Sequence, residues 1–141
     1  MRMISVLAVT LLIPLASTAA PASQQNALDE CGANSQAGMR ECLGRKAIDS
    51  QTLLKRAEGN AIAALGQWDE DAKYVTLAKK KLDTSGKAFE QYREAQCALA
   101  SSLGGGAVTS ALELRRLACV IALNNERAAS LASSVTDLPR R

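Results

Sequence analysis

Apolar residues recur along most of the chain at steps of three and four, the period of an amphipathic helix. From about Ser35 to Leu65 they fall at Met39, Cys42 with Leu43, Ala47, Leu54 with Ala57, Ala61 and Leu65. Arg40, Arg45, Lys55, Arg56 and Glu58 lie mostly off that stripe. Ser35 is placed to cap this helix and Gly66 to stop it. A second stripe runs from about Asp69 to Leu103 through Tyr74 and Val75, Ala78, Leu82, Phe89, Tyr92, Gln96 and Leu99. Asp69, Glu70 and Asp71 put negative charge at its start, where the helix dipole favours it. Thr84-Ser85-Gly86 marks a place for a kink or break, because glycine inside a helix costs about 1 kcal/mol against alanine. The third stripe, from about Thr109 to Ser134, uses Leu114, Leu117 with Ala118, Ile121, Asn125, Ala128, Leu131 with Ala132, and Val135. Gly104-Gly105-Gly106 supplies the turn before it. Proline is absent from Ala22 through Leu138, so nothing interrupts long helices there. The expected fold is all-α, three long helices in an up-down-up bundle.

Residues 1–22 follow a different pattern. Arg2 is followed by an apolar run from Met3 to Leu15 and then by small residues through Ala22. This reads as a secretory signal peptide, with Ala20 and Ala22 suited to cleavage after Ala22. The run is shorter than the roughly 20 residues of a spanning helix, so no stable membrane anchor is expected after cleavage. Residues 23–141 then form a single helical domain in the periplasm or outside the cell.

Composition narrows the chemistry. The 141 residues contain no histidine, which removes the commonest general base and every histidine-dependent triad or zinc site. Removing Arg2 from a formal charge of +3 leaves +2, too little for a nucleic-acid partner. The triple glycine lacks the lysine and strand of a phosphate loop. Asp69, Glu70 and Asp71 fan around a helix start and do not face each other across a cleft. No enzyme, cofactor or metal is expected.

Export changes the meaning of Cys31, Cys42, Cys97 and Cys119. An even number in a small exported domain, without a C-x-x-C pair, points to two disulfides. Sequence alone leaves three connectivities open. Folding the second and third helices back at the glycines sets Cys97 and Cys119 at comparable depths, which favours Cys97–Cys119. Cys31–Cys42 would then staple the N-terminal segment to the first long helix.

Cys42-Leu43, Lys81-Leu82 and the run Ala88-Phe89-Glu90-Gln91-Tyr92-Arg93-Glu94-Ala95-Gln96-Cys97, followed by the triple glycine, Cys119, Arg127 and Leu131, resemble the LprI-like lysozyme-inhibitor domain. The resemblance covers roughly residues 31–132, with Phe89 standing where the family usually carries tryptophan. It implies a small exported helical protein that binds, and inhibits, a lysozyme-like or other envelope hydrolase. The alternative is a structural or envelope-stress protein of the periplasm with no hydrolase target.

Six residues stand out as candidate partner contacts. Arg93 and Arg127 either reach into a hydrolase cleft or satisfy acids inside the bundle, with Glu90 and Glu126 the nearest in sequence. Tyr92 is expected to be half-buried with its hydroxyl at the surface. Trp68 either packs the end of the bundle or anchors a partner. Asp69 and Asp71 give a near-neutral chain a local acidic patch suited to a basic lysozyme. Oligomeric state is not legible at this level.

Overall fold

The computed structural model describes residues 22–141, in four helices: α1 (Ala22–Cys31), α2 (Gln36–Gly66), α3 (Ala72–Ser102) and α4 (Thr109–Thr136). The leader expected over residues 1–22 lies outside the described residues except for Ala22, which opens α1. The three long helices keep the expected order, and the architecture is all-α. No helix among the described residues is long and apolar enough to cross a membrane.

The count is four helices where the stripe predicted three. The segment before Cys31 is polar, with only Ala27, Leu28 and Cys31 apolar beyond its first residues, too short a stripe to register as a helix. A ten-residue helix is marginal alone. Here its neighbours hold it: Ala27 and Cys31 are buried with Leu43 of α2 and Ile121 of α4. Glu30 pairs with Lys46 of α2, and Cys31 is bridged to Cys42 with the Cα atoms 5.8 Å apart.

Local signals set most of the remaining boundaries. Ser35 Oγ accepts from Gly38 N at 3.3 Å, so it caps α2 as expected. Gln67 N closes the other end on the Ala63 and Ala64 carbonyls. Between α3 and α4, Gly105 takes φ +58, a left-handed conformation that other residues rarely adopt. At Gly104 a Cβ would press on the Leu112 side chain and stand 3.2 Å from Ser101 O, so glycine lets the two helices close here without displacing Leu112. Ser101 Oγ donates to Leu112 O at 3.1 Å across the same turn. No break occurs at Thr84-Ser85-Gly86, and α3 is continuous through it. More than a full turn of helix on either side carries the glycine, whose missing side chain faces Glu58 of α2.

The helices contribute very unequally to the core. α4 buries Ala118, Cys119, Ile121, Ala122, Asn124, Ala128 and Leu131, and every other helix packs on it. α3, at 31 residues, buries only Cys97. That cysteine is bridged to Cys119 of α4, Cα atoms 5.4 Å apart. Leu82 and Phe89 of α3 pack partly buried against Leu54, Ala128 and Leu131. Apart from side-chain hydrogen bonds, α3 is therefore tied to the bundle by one covalent link and a shallow apolar contact. Reduction is expected to release α3 first: its amides should lose protection from hydrogen exchange before those of α2 and α4. Replacing Cys97 and Cys119 together by alanine should lower stability by about 3 kcal/mol in urea unfolding. Equal protection of α3 and α4 after reduction would contradict this account.

Candidate functional site

A polar layer crosses the middle of the bundle. Above it lies the apolar cluster of Ala27, Cys31, Leu43 and Ile121, below it that of Leu54, Ala128 and Leu131. Between them Asn124 of α4 is 0 % exposed and Ser50 of α2 is buried. Asn124 Nδ2 donates to Ser50 Oγ at 3.1 Å and to Gln51 Oε1 at 3.4 Å. Its Oδ1 accepts from Arg93 Nη1 of α3 at 2.9 Å. The same Arg93 Nη1 donates to Gln51 Oε1 at 2.8 Å. Ser50 Oγ in turn donates to Ala47 O at 2.8 Å. One asparagine thus joins three helices with both ends of its amide satisfied. The stripe of α4 predicted Asn125 on the inner face. Asn124 is the inner residue and Asn125 is exposed. An asparagine pair straddling the edge of a stripe leaves the inner one ambiguous by period alone.

Arg93 and Arg127 are brought together around Phe89, each guanidinium carbon 5.8 Å from the ring centroid. The acid beside Arg93 is Glu94, with Nη2–Oε1 at 3.2 Å, and not the expected Glu90. Helical Glu90 projects toward α2, where it lines a cleft with Glu58 and Lys79. Arg127 Nη2 donates to Ser85 Oγ of α3 at 2.7 Å, and its Nε is buried without an acceptor among the described residues. Both arginines are therefore engaged within the bundle. Tyr92 lies further out than expected, 53 % exposed, because Cys97 and Arg93 turn the adjacent face of α3 inward.

Trp68, Asp69 and Asp71 lie at the opposite end of α3 from its glycine turn and do not join the arginines. About 30 Å of helix separates Asp71 from Tyr92. Trp68 is half-buried and forms an antiparallel backbone bridge with Arg140. Asp69 N donates to Pro139 O at 2.8 Å, and Arg141 N to Gln67 O at 3.0 Å. The Arg141 guanidinium reaches the Glu70 carbonyl and stands 3.9 Å from Asp69 Oδ1. Asp71 is 3.7 Å from Lys73 Nζ. The C-terminal residues clamp this turn while its carboxylates remain exposed.

On the side of α2 and α4 away from α3, a cleft of about 590 Å³ opens below α1. Ala27, Ser50 and Ile121 line it with Glu30, Lys46, Asp49 and Arg56. Sequence reasoning missed it because it follows from the shortness of α1. No group of three or more acidic, cysteine or histidine side chains suited to a metal occurs among the described residues.

These features define a small disulfide-stapled helical domain whose polar side chains organise its interior. The family model for lysozyme inhibitor LprI matches residues 27–131, and the chain belongs to that family. The match runs from α1 to near the end of α4 and contains all four cysteines. Comparison with curated proteins and with solved structures gives no match.

Asn124→Ala should cost about 2–3 kcal/mol in urea unfolding, since it leaves buried partners without hydrogen bonds. Arg93→Met combined with it should be non-additive by more than about 0.5 kcal/mol. Additive losses would show that the groups are not coupled.

A pH effect is expected at the α4 pair Glu113 and Arg116. Arg116 Nε donates to Glu113 Oε2 at 2.8 Å, and Nη2 to Oε1 at 2.8 Å. This hydrogen bonding holds the Glu113 carboxyl below the ordinary glutamate value of 4.5, against an opposing effect of burial. A lowered folded-state value means the contribution is full above 4.5 and fades as pH falls through that lowered value. The stability gap between the protein and its Glu113→Gln variant should be small, because solvent screens the pair, and should close on acidification below pH 4.5. A gap constant down to pH 2 would refute the assignment.

Proposed function

We propose that this protein is an exported, non-catalytic inhibitor that binds a lysozyme-type cell-wall hydrolase in the periplasm or outside the cell. The observation that carries the reading is the LprI family match across residues 27–131. Two disulfides in a small domain fit an oxidising compartment. The contact surface we assign is the turn bearing Trp68, Asp69 and Asp71. Its carboxylates are exposed, its backbone is held by the C-terminal residues, and Asp69 and Asp71 would exchange their neighbours Arg141 and Lys73 for cations of a basic enzyme. Arg93 and Arg127 act at one remove, by holding α3 in place.

The test is a cell-wall turbidity assay with the purified exported chain and several lysozyme types. Lysis should slow with added protein, less so at high salt. Asp69→Asn with Asp71→Asn should weaken inhibition about tenfold, equivalent to 1.4 kcal/mol, without changing the helical circular dichroism. No slowing of any lysozyme at a several-fold molar excess would overturn the inhibitor reading. Slowing that the double variant leaves unchanged would overturn the assigned surface alone.

A further inference from the structure

The cleft below α1 carries two charges that the bundle leaves unanswered. Glu30 and Lys46, which also line it, pair with each other. Asp49 and Arg56 of α2 are exposed in it and have no ion-pair partner among the described residues. They stand seven residues apart, so they share one side of the helix and are separated by about 10 Å along its axis. The cleft thus offers an anion toward one end and a cation toward the other. From the neighbouring helices it takes the side-chain amides of Asn26 and Asn125, each able to donate and to accept. Past Arg56 it continues, through the shared walls of Leu53, Arg56 and Asn125, into a recess of about 290 Å³. Ala57, Ala128, Ala132 and Val135 make that recess chiefly apolar.

We infer that this cleft binds a free peptide of three residues, with its amino terminus on Asp49, its carboxylate on Arg56 and an apolar last side chain in the recess. An extended chain spans about 3.4 Å per residue, so three residues hold their terminal charges about 10 Å apart, the separation of Asp49 and Arg56 along α2. Both end contacts are charge-assisted hydrogen bonds, the stronger kind. A plain anion would meet Asp49 and a plain cation would meet Arg56, so the pair selects a ligand that carries both charges. A single amino acid is too short to reach the two. The amides of Asn26 and Asn125 match the alternating donors and acceptors of the peptide backbone between the ends. The volume of about 590 Å³ is that of an ordinary small-molecule site. This reading does not rest on inhibition of a hydrolase, and the Trp68 turn is no part of the cleft.

The test is a nuclear magnetic resonance titration of the isotope-labelled exported chain with the tripeptide Ala-Ala-Leu, up to about 5 mM. The backbone amides of Asn26, Asp49, Arg56 and Asn125 should shift and saturate, with a dissociation constant on the order of 100 μM. The N-acetylated and the C-amidated tripeptides should each bind at least about tenfold more weakly. Asp49→Asn should erase the penalty for acetylation and keep that for amidation, and Arg56→Gln should do the reverse. Both positions are exposed, so helical circular dichroism should not change. Ala-Ala-Asn should bind more weakly than Ala-Ala-Leu, because its last side chain is polar. No saturable shift, shifts confined to other surfaces, blocked peptides that bind as well as the free one, or variants that do not separate the two ends would overturn the proposal. Equal binding of Ala-Ala-Asn would overturn the place given to the last side chain alone.

Discussion

The hydrogen bonds of Asn124 constrain the bundle more than any single apolar contact. A fully buried amide must find partners for both its ends or forfeit their hydration. Here the partners lie on two other helices, Ser50 and Gln51 on α2 and Arg93 on α3. Sliding α3 or α2 along α4 by one turn would strand the amide while apolar contacts simply exchanged neighbours. Leucine and alanine stripes tolerate such slips, because one small apolar residue packs much like another. The polar layer between the two apolar clusters does not, so it distinguishes one register from its near equivalents.

That constraint matters because α3 brings so little to the core. A helix of 31 residues with one buried residue is not held by hydrophobic burial of its own. The Cys97–Cys119 bridge, the Arg93 hydrogen bonds, the Ser85–Arg127 contact and the shallow packing of Phe89 share the task. Arg93 and Arg127, separated by 34 positions in sequence, converge on the same ring. Their stems and guanidinium planes supply packing where aliphatic side chains would ordinarily stand.

Much of this was legible in the residues. The three long helices, the Ser35 cap, the glycine turn and the pairing of consecutive cysteines followed from period, capping chemistry and hairpin depth. The family was legible in the Tyr92-Arg93…Cys97 run and the residues after the triple glycine, and the family match agrees with that resemblance. Three features were not. α1 owes its helix to tertiary contacts that no ten-residue window contains. Asn124 could not be told from Asn125, because a period of 3.6 leaves a residue at the stripe's edge free to fall either way. Tyr92 and Leu99 sit on a stripe that continues past the part α4 covers, and periodicity does not say where a neighbour ends. The candidate contacts were visible as residue types, but their division between a waist and an end depends on distances along α3 and on a C-terminal tail with no pattern of its own.

Both bridges join cysteines that are consecutive in the chain. A polypeptide entering an oxidising compartment N-terminus first presents Cys31 and Cys42 before Cys97 arrives, and that pair closes while no competitor is present. Cys97 and Cys119 then find only each other. Oxidation in order of emergence therefore yields the native connectivity directly. Where thiols are oxidised in that order, consecutive pairing leaves no wrong bridge to rearrange.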